Sequence, residues 1–230
     1  MKQIVTKGII VARTNYGEAD RIITVLTPDQ GKLRLMAKGV RRPKSKLAGG
    51  IELFSVSDIT FIRGKSEIGT LISSRLDMHF GNIVKDIDRT MLGYELIKQL
   101  NKVTEDEPEE AYFNLLEKTF ESLNNEHINS ELIQLWFTTQ LLKLAGHTLN
   151  LKSDADGNTL QADQAYNFSF DDMAFVQGGS GRYSVPEIKV LRLLFSDNSP
   201  LALQQVQGIE NVLKQVQQLI NTVQKSFIVL

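Results

Sequence analysis

The sequence predicts an α+β protein, with a five-stranded β-domain at the amino terminus followed by an α-helical domain. Three observations predict this. Up to about residue 77, short runs alternate apolar and polar residues, the period of a half-buried strand. From about Asp86 the apolar residues recur every three or four positions, the period of a helix. Charge divides at nearly the same place. Residues 1–80 hold seven Lys and seven Arg against seven acids, a balance of +7, and the remainder holds twelve basic against twenty acidic residues, a balance of −8. The formal net charge of −1 hides this split. It suggests a basic half suited to phosphate and an acidic half with another task; a chance imbalance across two surfaces would read the same way.

Strands are expected over residues 3–13, 20–27, 32–38, 54–62 and 67–77. Gln30-Gly31 turns the second strand into the third, and Arg63-Gly64-Lys65 makes a hairpin loop between the fourth and fifth. Pro43 and Gly49-Gly50 interrupt the long connection between the third and fourth. Five short strands with one longer excursion fit a small closed or partly open barrel, in which closure removes exposed edges. Periodicity alone fits a five-stranded sandwich equally. The period changes near Gly81, which divides the chain into domains over residues 1–79 and 80–230.

In the second domain Leu92, Leu96, Leu100 and Val103 share one helical face, and Tyr112, Leu116, Phe120 and Leu123 repeat the pattern. The link between them, residues 104–110, carries five acids and Pro108 and reads as a solvated connection, with carboxylates favoured at the start of the next helix. A third helix is expected over residues 130–144, with Leu132, Leu135, Trp136 and Leu142. Residues 146–183 are weakly patterned and rich in Gly, Asp and Asn, and are expected as a cysteine-free loop insert. Ser184-Val-Pro-Glu187 has the spacing of a capping box and opens a helix through Leu194. A last helix carries an apolar stripe from Ile209 to Val223, and the closing residues 227–230 are expected to pack down.

Composition removes several classes of function. With no cysteine, disulfides and thiolate metal sites are excluded. The first ten residues are too polar for a secretory signal, and no apolar run is long enough to cross a bilayer, so a cytoplasmic protein without a membrane partner is expected. His79, His127 and His147 are dispersed, with neither metal-ligand spacing nor a nucleophile beside them. Asp154, Asp156, Gly157 and Asn158 lack the remaining ligands of a calcium loop, and Gly178-Gly-Ser-Gly181 lacks the Lys of a P-loop. No enzyme, metal or cofactor is expected.

The basic residues are different. Lys38, Arg41, Arg42, Lys44 and Lys46 fall within nine residues uninterrupted by an acid. On the preceding strand Lys32, Arg34 and Lys38 are expected on one face, with Leu33, Leu35 and Ala37 on the other. Lys and Arg suit phosphate because their donors engage its oxygens and because neutralisation releases condensed counterions, without reading sequence. The bland alternative is a solvated face. Nearby aromatics are few, namely Tyr16, Phe54, Phe61 and Phe80, so a stacking platform would be thin.

At these residues the chain resembles a family. Thr6-Lys-Gly-Ile-Ile-Val, Tyr16-Gly-Glu-Ala-Asp20, Leu26-Thr, Gly31-Lys, Ala37-Lys-Gly-Val-Arg-Arg-Pro-Lys-Ser-Lys-Leu47 and Gly64-Lys-Ser-Glu-Ile-Gly69 resemble, in order and spacing, the amino-terminal domain of the bacterial recombination mediators called RecO. The likeness is motif-level over the first 80 residues and one of layout beyond. It implies an OB-fold barrel followed by a helical domain, a DNA-repair role, binding of single- and double-stranded DNA, and annealing of complementary strands. It also implies action with RecR to help RecA replace single-stranded-DNA-binding protein (SSB), with association with the nucleoid. Lys38, Arg41, Arg42, Lys44 and Lys46 then stand where the family has its positive surface, and with Lys32 and Arg34 of the strand they are the candidate DNA-binding residues. The acidic tail of SSB, ending in phenylalanine, would need an apolar pocket with a cationic rim, for which Lys143, Lys189 and Arg192 are candidates. Many members bind zinc through two Cys-x-x-Cys pairs; here these correspond to Ser153 and Asp156, and to positions near Gly181 and Ser184, so zinc is not expected. The competing readings are an RNA-binding OB module and an interaction scaffold that meets an acidic protein.

Overall fold

The computed structural model describes residues 2–64, 67–104 and 109–227. The expected loop residue Lys65, the acidic link over 105–108 and the closing segment 228–230 lie outside the described residues. The chain forms two compact units, Met1–Glu126 and His127–Leu230.

The first unit begins with β1 (Gln3–Tyr16), β2 (Asp20–Thr27), β3 (Gly31–Ala37), β4 (Ser55–Ile62) and β5 (Ile68–His79). They close into a barrel in the order β1-β2-β3-β5-β4, with β4 pairing back onto β1. This is an OB-fold, and closure settles the choice between barrel and sandwich that alternation left open. All pairings are antiparallel except β3 with β5, a parallel seam of three residue pairs from Arg34↔Ile68 to Met36↔Thr70. Ile10, Ile23, Val25, Leu35, Ile59 and Phe61 fill the interior. Strict alternation fails at Ile9, Ile10 and Val11, all buried in succession, because the β1–β2 register shifts between Ile10 and Ala12. A bulge of this kind turns consecutive side chains inward. Gly8 lets the strands approach: a Cβ there would stand 2.3 Å from a Val25 methyl.

Two helices complete this unit, α1 (Ile87–Val103) and α2 (Glu110–Asn124). Asp86 caps α1, its carboxylate accepting from the N–H groups of Asp88 and Arg89 at 2.9 and 3.1 Å. The helix packs on the barrel through Gly93 and Phe54. A methyl at residue 93 would stand 2.6 Å from a Phe54 ring carbon. Phe54 adopts a left-handed backbone (φ 54°), and its fully buried ring meets Phe120 edge-on at 5.2 Å and Tyr94 at 5.4 Å. Such a backbone costs a bulky residue about 1–3 kcal/mol, which the aromatic packing must offset. Because α1 and α2 pack with the barrel, the compact division falls at 126/127, whereas the change of period falls near residue 80.

The second unit contains α3 (Ser130–Leu144), β6 (Asn150–Asp154), β7 (Tyr166–Ser169), β8 (Ala174–Gln177), α4 (Val185–Phe195), α5 (Pro200–Gln204) and α6 (Ile209–Phe227). At Ser184 the Glu187 carboxylate accepts from both the N–H and the hydroxyl, at 2.9 and 2.7 Å, as the capping-box spacing predicts. Val212, Val216, Leu219, Ile220 and Val223 of α6 are buried, while Leu213 is half-buried at the edge of the stripe. The segment expected as a loop insert differs most. Residues 146–183 carry a three-stranded sheet, ordered β6-β8-β7, around the edge-on rings of Tyr166, Phe168, Phe175 and Tyr183. Its strands are four or five residues long, too short to show a period.

Candidate nucleic-acid interface

The β1–β2 turn, residues 17–19, and the loop that follows β3 are hydrogen-bonded to one another. The Asp20 carboxylate accepts from the Gly39 N–H at 2.7 Å. The Ala19 carbonyl accepts from the Arg41 N–H at 2.9 Å, and the Gly17 carbonyl from Arg41 Nη1 at 3.2 Å. Gly39 takes φ 64°, the left-handed conformation that glycine adopts at least cost. The Arg42 N–H donates to the Gly39 carbonyl at 3.1 Å, and the Ser45 N–H to the Arg42 carbonyl at 3.0 Å. Val40 is buried in the barrel core and Leu47 packs against it. These two apolar anchors hold the loop down and leave Lys38, Arg41, Arg42, Lys44 and Lys46 exposed. Among the described residues none of the five makes an ion pair.

The strand contributes less than alternation suggested. Arg34 is exposed on β3, whereas the Lys32 ammonium donates to the carbonyls of Thr104 at 3.1 Å and Asn101 at 3.5 Å, at the end of α1. Carbonyls in a last helical turn lack intrahelical partners and attract a cation, so Lys32 is drawn to the helix rather than beside Arg34. Lys38 lies on the turn, one residue past the strand. Arg21, which the sequence reading missed, sits opposite Ala37 in the β2–β3 register and donates to Asn15 at 3.0 Å, next to the basic loop. Its signal was its place directly after the Tyr16–Asp20 motif. Arg13 is neutralised by Glu52 at 2.7 Å.

Asp20→Ala is expected to cost about 1–2 kcal/mol through loss of a charge-assisted bond, and to speed amide exchange at Gly39. Unchanged exchange there would mean that the carboxylate does not order the loop.

The three cations proposed for partner binding are not gathered into a free rim. Lys143 pairs with Asp197 at 3.1 Å, and Arg192 Nε donates to the Leu151 carbonyl at 2.8 Å. Lys189 is exposed on α4, one turn from Arg192.

The positions that correspond to thiolate pairs do not fit zinc. Ser153 bridges Thr159 in a small antiparallel pair. The neighbouring Asp154 carboxylate is occupied by the Asn158 N–H at 2.7 Å and side-chain amide at 3.2 Å. The Ser184 hydroxyl donates to Glu187, and Tyr166 and Tyr183 exchange backbone bonds of 2.8 and 2.9 Å beside Gly181. Among the described residues no group of three or more His, Asp or Glu is placed to hold a metal, and no helix is long and apolar enough to cross a membrane.

Comparison with known proteins agrees with the barrel and the helical region that follows it. Residues 1–77 match the family described as "Recombination protein O N terminal", and residues 84–224 match "Recombination protein O C terminal". A protein of Dehalococcoides mccartyi named "DNA repair protein RecO" is 36% identical over 152 residues, which cover 66% of this chain and 59% of that protein. One of the same name from Desulfatibacillum aliphaticivorans is 34% identical over 149 residues, 64% of this chain and 58% of that protein. Another, from Acetivibrio thermocellus, is 30% identical over 171 residues, 74% and 67%. The chain thus spans less than two thirds of the first two. The OB-fold barrel and these likenesses group the chain with proteins named for DNA repair and recombination. Its family is a particular one: the chain belongs to the RecO family.

Proposed function

We propose that this chain binds single- and double-stranded DNA without sequence preference, anneals complementary strands, and with RecR helps load RecA onto SSB-coated DNA. The observation that carries this reading is the loop 38–46, ordered from beneath by Val40 and by the β1–β2 turn, with five exposed cations directed at solvent. A preformed cationic surface engages phosphates without the entropic cost of becoming ordered on binding. Two strands neutralised on one protein repel each other less, which favours annealing. The role is that of a binding protein, with no bond made or broken, and nucleoid association would follow from DNA binding. SSB-tail docking in the second unit rests on Lys189 most directly, because Lys143 and Arg192 already have partners.

The test is the salt dependence of affinity, measured with annealing rate. Five neutralised phosphates predict a log–log slope of about −3.5 on a single strand and about −4.5 on a duplex. Annealing should slow in parallel. A flat salt dependence would sink the proposal, and no DNA binding at low salt would favour the protein-scaffold reading.

A further inference from the structure

Of the four aromatic residues near the basic segment, three are closed off. Phe54 and Phe61 are 0% exposed and Phe80 is 3% exposed. Tyr16 is 55% exposed, at the end of β1 where it pairs with Asp20. Its neighbours Asn15, Gly17 and Glu18 are exposed and offer no apolar surface for the ring to cover. The carbonyl of Gly17, the next residue, holds the Arg41 guanidinium, and Asp20 holds Gly39. The ring and the cations are therefore carried on two loops tied by three hydrogen bonds, one aromatic face beside one phosphate-binding surface.

We infer that Tyr16 is the base-stacking residue of this interface, taking an unpaired nucleobase while the basic loop holds the adjoining phosphates. The inference rests on the DNA-binding reading above and adds a source of strand preference to it. Phosphate contacts alone do not distinguish a single strand from a duplex. A base face does, because pairing and stacking hide it within the duplex, and stacking on a ring tolerates any base. The hydroxyl plays no part in such a contact, so a phenylalanine should serve as well.

The experiment measures affinity by fluorescence anisotropy for an oligodeoxythymidylate, an abasic strand with the same number of phosphates, and a blunt duplex of equal length. Tyr16→Leu keeps an apolar side chain but removes the π face. It should weaken binding to the thymidylate about tenfold while duplex affinity stays within about twofold, and Tyr16→Phe should match wild type on both. The abasic strand should bind wild type as weakly as the thymidylate binds Tyr16→Leu. Equal weakening on strand and duplex, or unchanged strand affinity in Tyr16→Leu, overturns the inference and leaves DNA binding intact. If wild type binds no DNA, the DNA-binding reading fails first, and if Arg41→Glu with Arg42→Glu keeps wild-type affinity, the basic loop is not the interface; either result takes the inference with it.

Discussion

Arg41→Glu combined with Arg42→Glu is expected to weaken binding to both single-stranded and duplex DNA about 100-fold near physiological salt, and to shrink the salt slope by about two. The effect is large because the exchange removes two phosphate contacts and sets two negative charges in their place. Both side chains are exposed and neither supports the core, so the protein should fold. Arg41 does donate to the Gly17 carbonyl, but its backbone N–H still reaches Ala19, and Val40 remains buried. Loop order should therefore survive, and the loss should be electrostatic. Raising the salt should bring wild type down toward the variant, because screening removes the attraction that the variant lacks. Equal affinity of the two proteins at low salt would remove the loop from the interface.

Arg89→Met is expected to destabilise the first unit by about 3 kcal/mol or more, the largest stability effect anticipated for a single residue here. Arg89 is 8% exposed, and its guanidinium closes the end of α2. Nη1 donates to the carbonyls of Leu123 and Asn125 at 2.9 and 3.1 Å, and Nη2 to that of Glu126 at 3.0 Å. Those carbonyls lie past the last helical hydrogen bonds, and removing the donors would leave polar groups without partners in a largely buried place. Asn82 adds a second clasp, its N–H donating to the Asn124 side chain at 2.9 Å and its amide to the Asn124 carbonyl at 3.2 Å. Arg89→Lys should recover little, since one ammonium cannot reproduce a planar fork spread over three acceptors. Urea denaturation, with amide exchange over residues 122–126, reads the effect. A midpoint within error of wild type would show that solvent satisfies those carbonyls.

Much of the architecture was legible because it is written in short-range patterns. The second strand, the third helix and the Ser184 cap occur where alternation, helical period and capping chemistry put them. The basic loop was legible as a run of like charges. What ordered it was not, because two of its three ties from the β1–β2 turn end on backbone carbonyls, and any residue type supplies those. Lys32 could not be placed from its strand alone, since its acceptors are 69 and 72 residues away at the end of a helix. The sheet of residues 150–177 escaped notice for a similar reason: its strands are short and its cohesion comes from rings distant in sequence. Phe54 gave no signal of its left-handed backbone, which only tertiary packing on Gly93 and Phe120 explains.

Modules held by thiolates and zinc come apart when peroxide oxidises the sulfur or a chelator strips the ion. The sheet β6-β8-β7 is closed by the Tyr166–Tyr183 bridge and by rings gathered edge-on around Phe175, in a chain without cysteine. Its shape therefore answers to temperature, through apolar contacts that weaken on cooling, with no thiolate in it to oxidise or to strip of an ion.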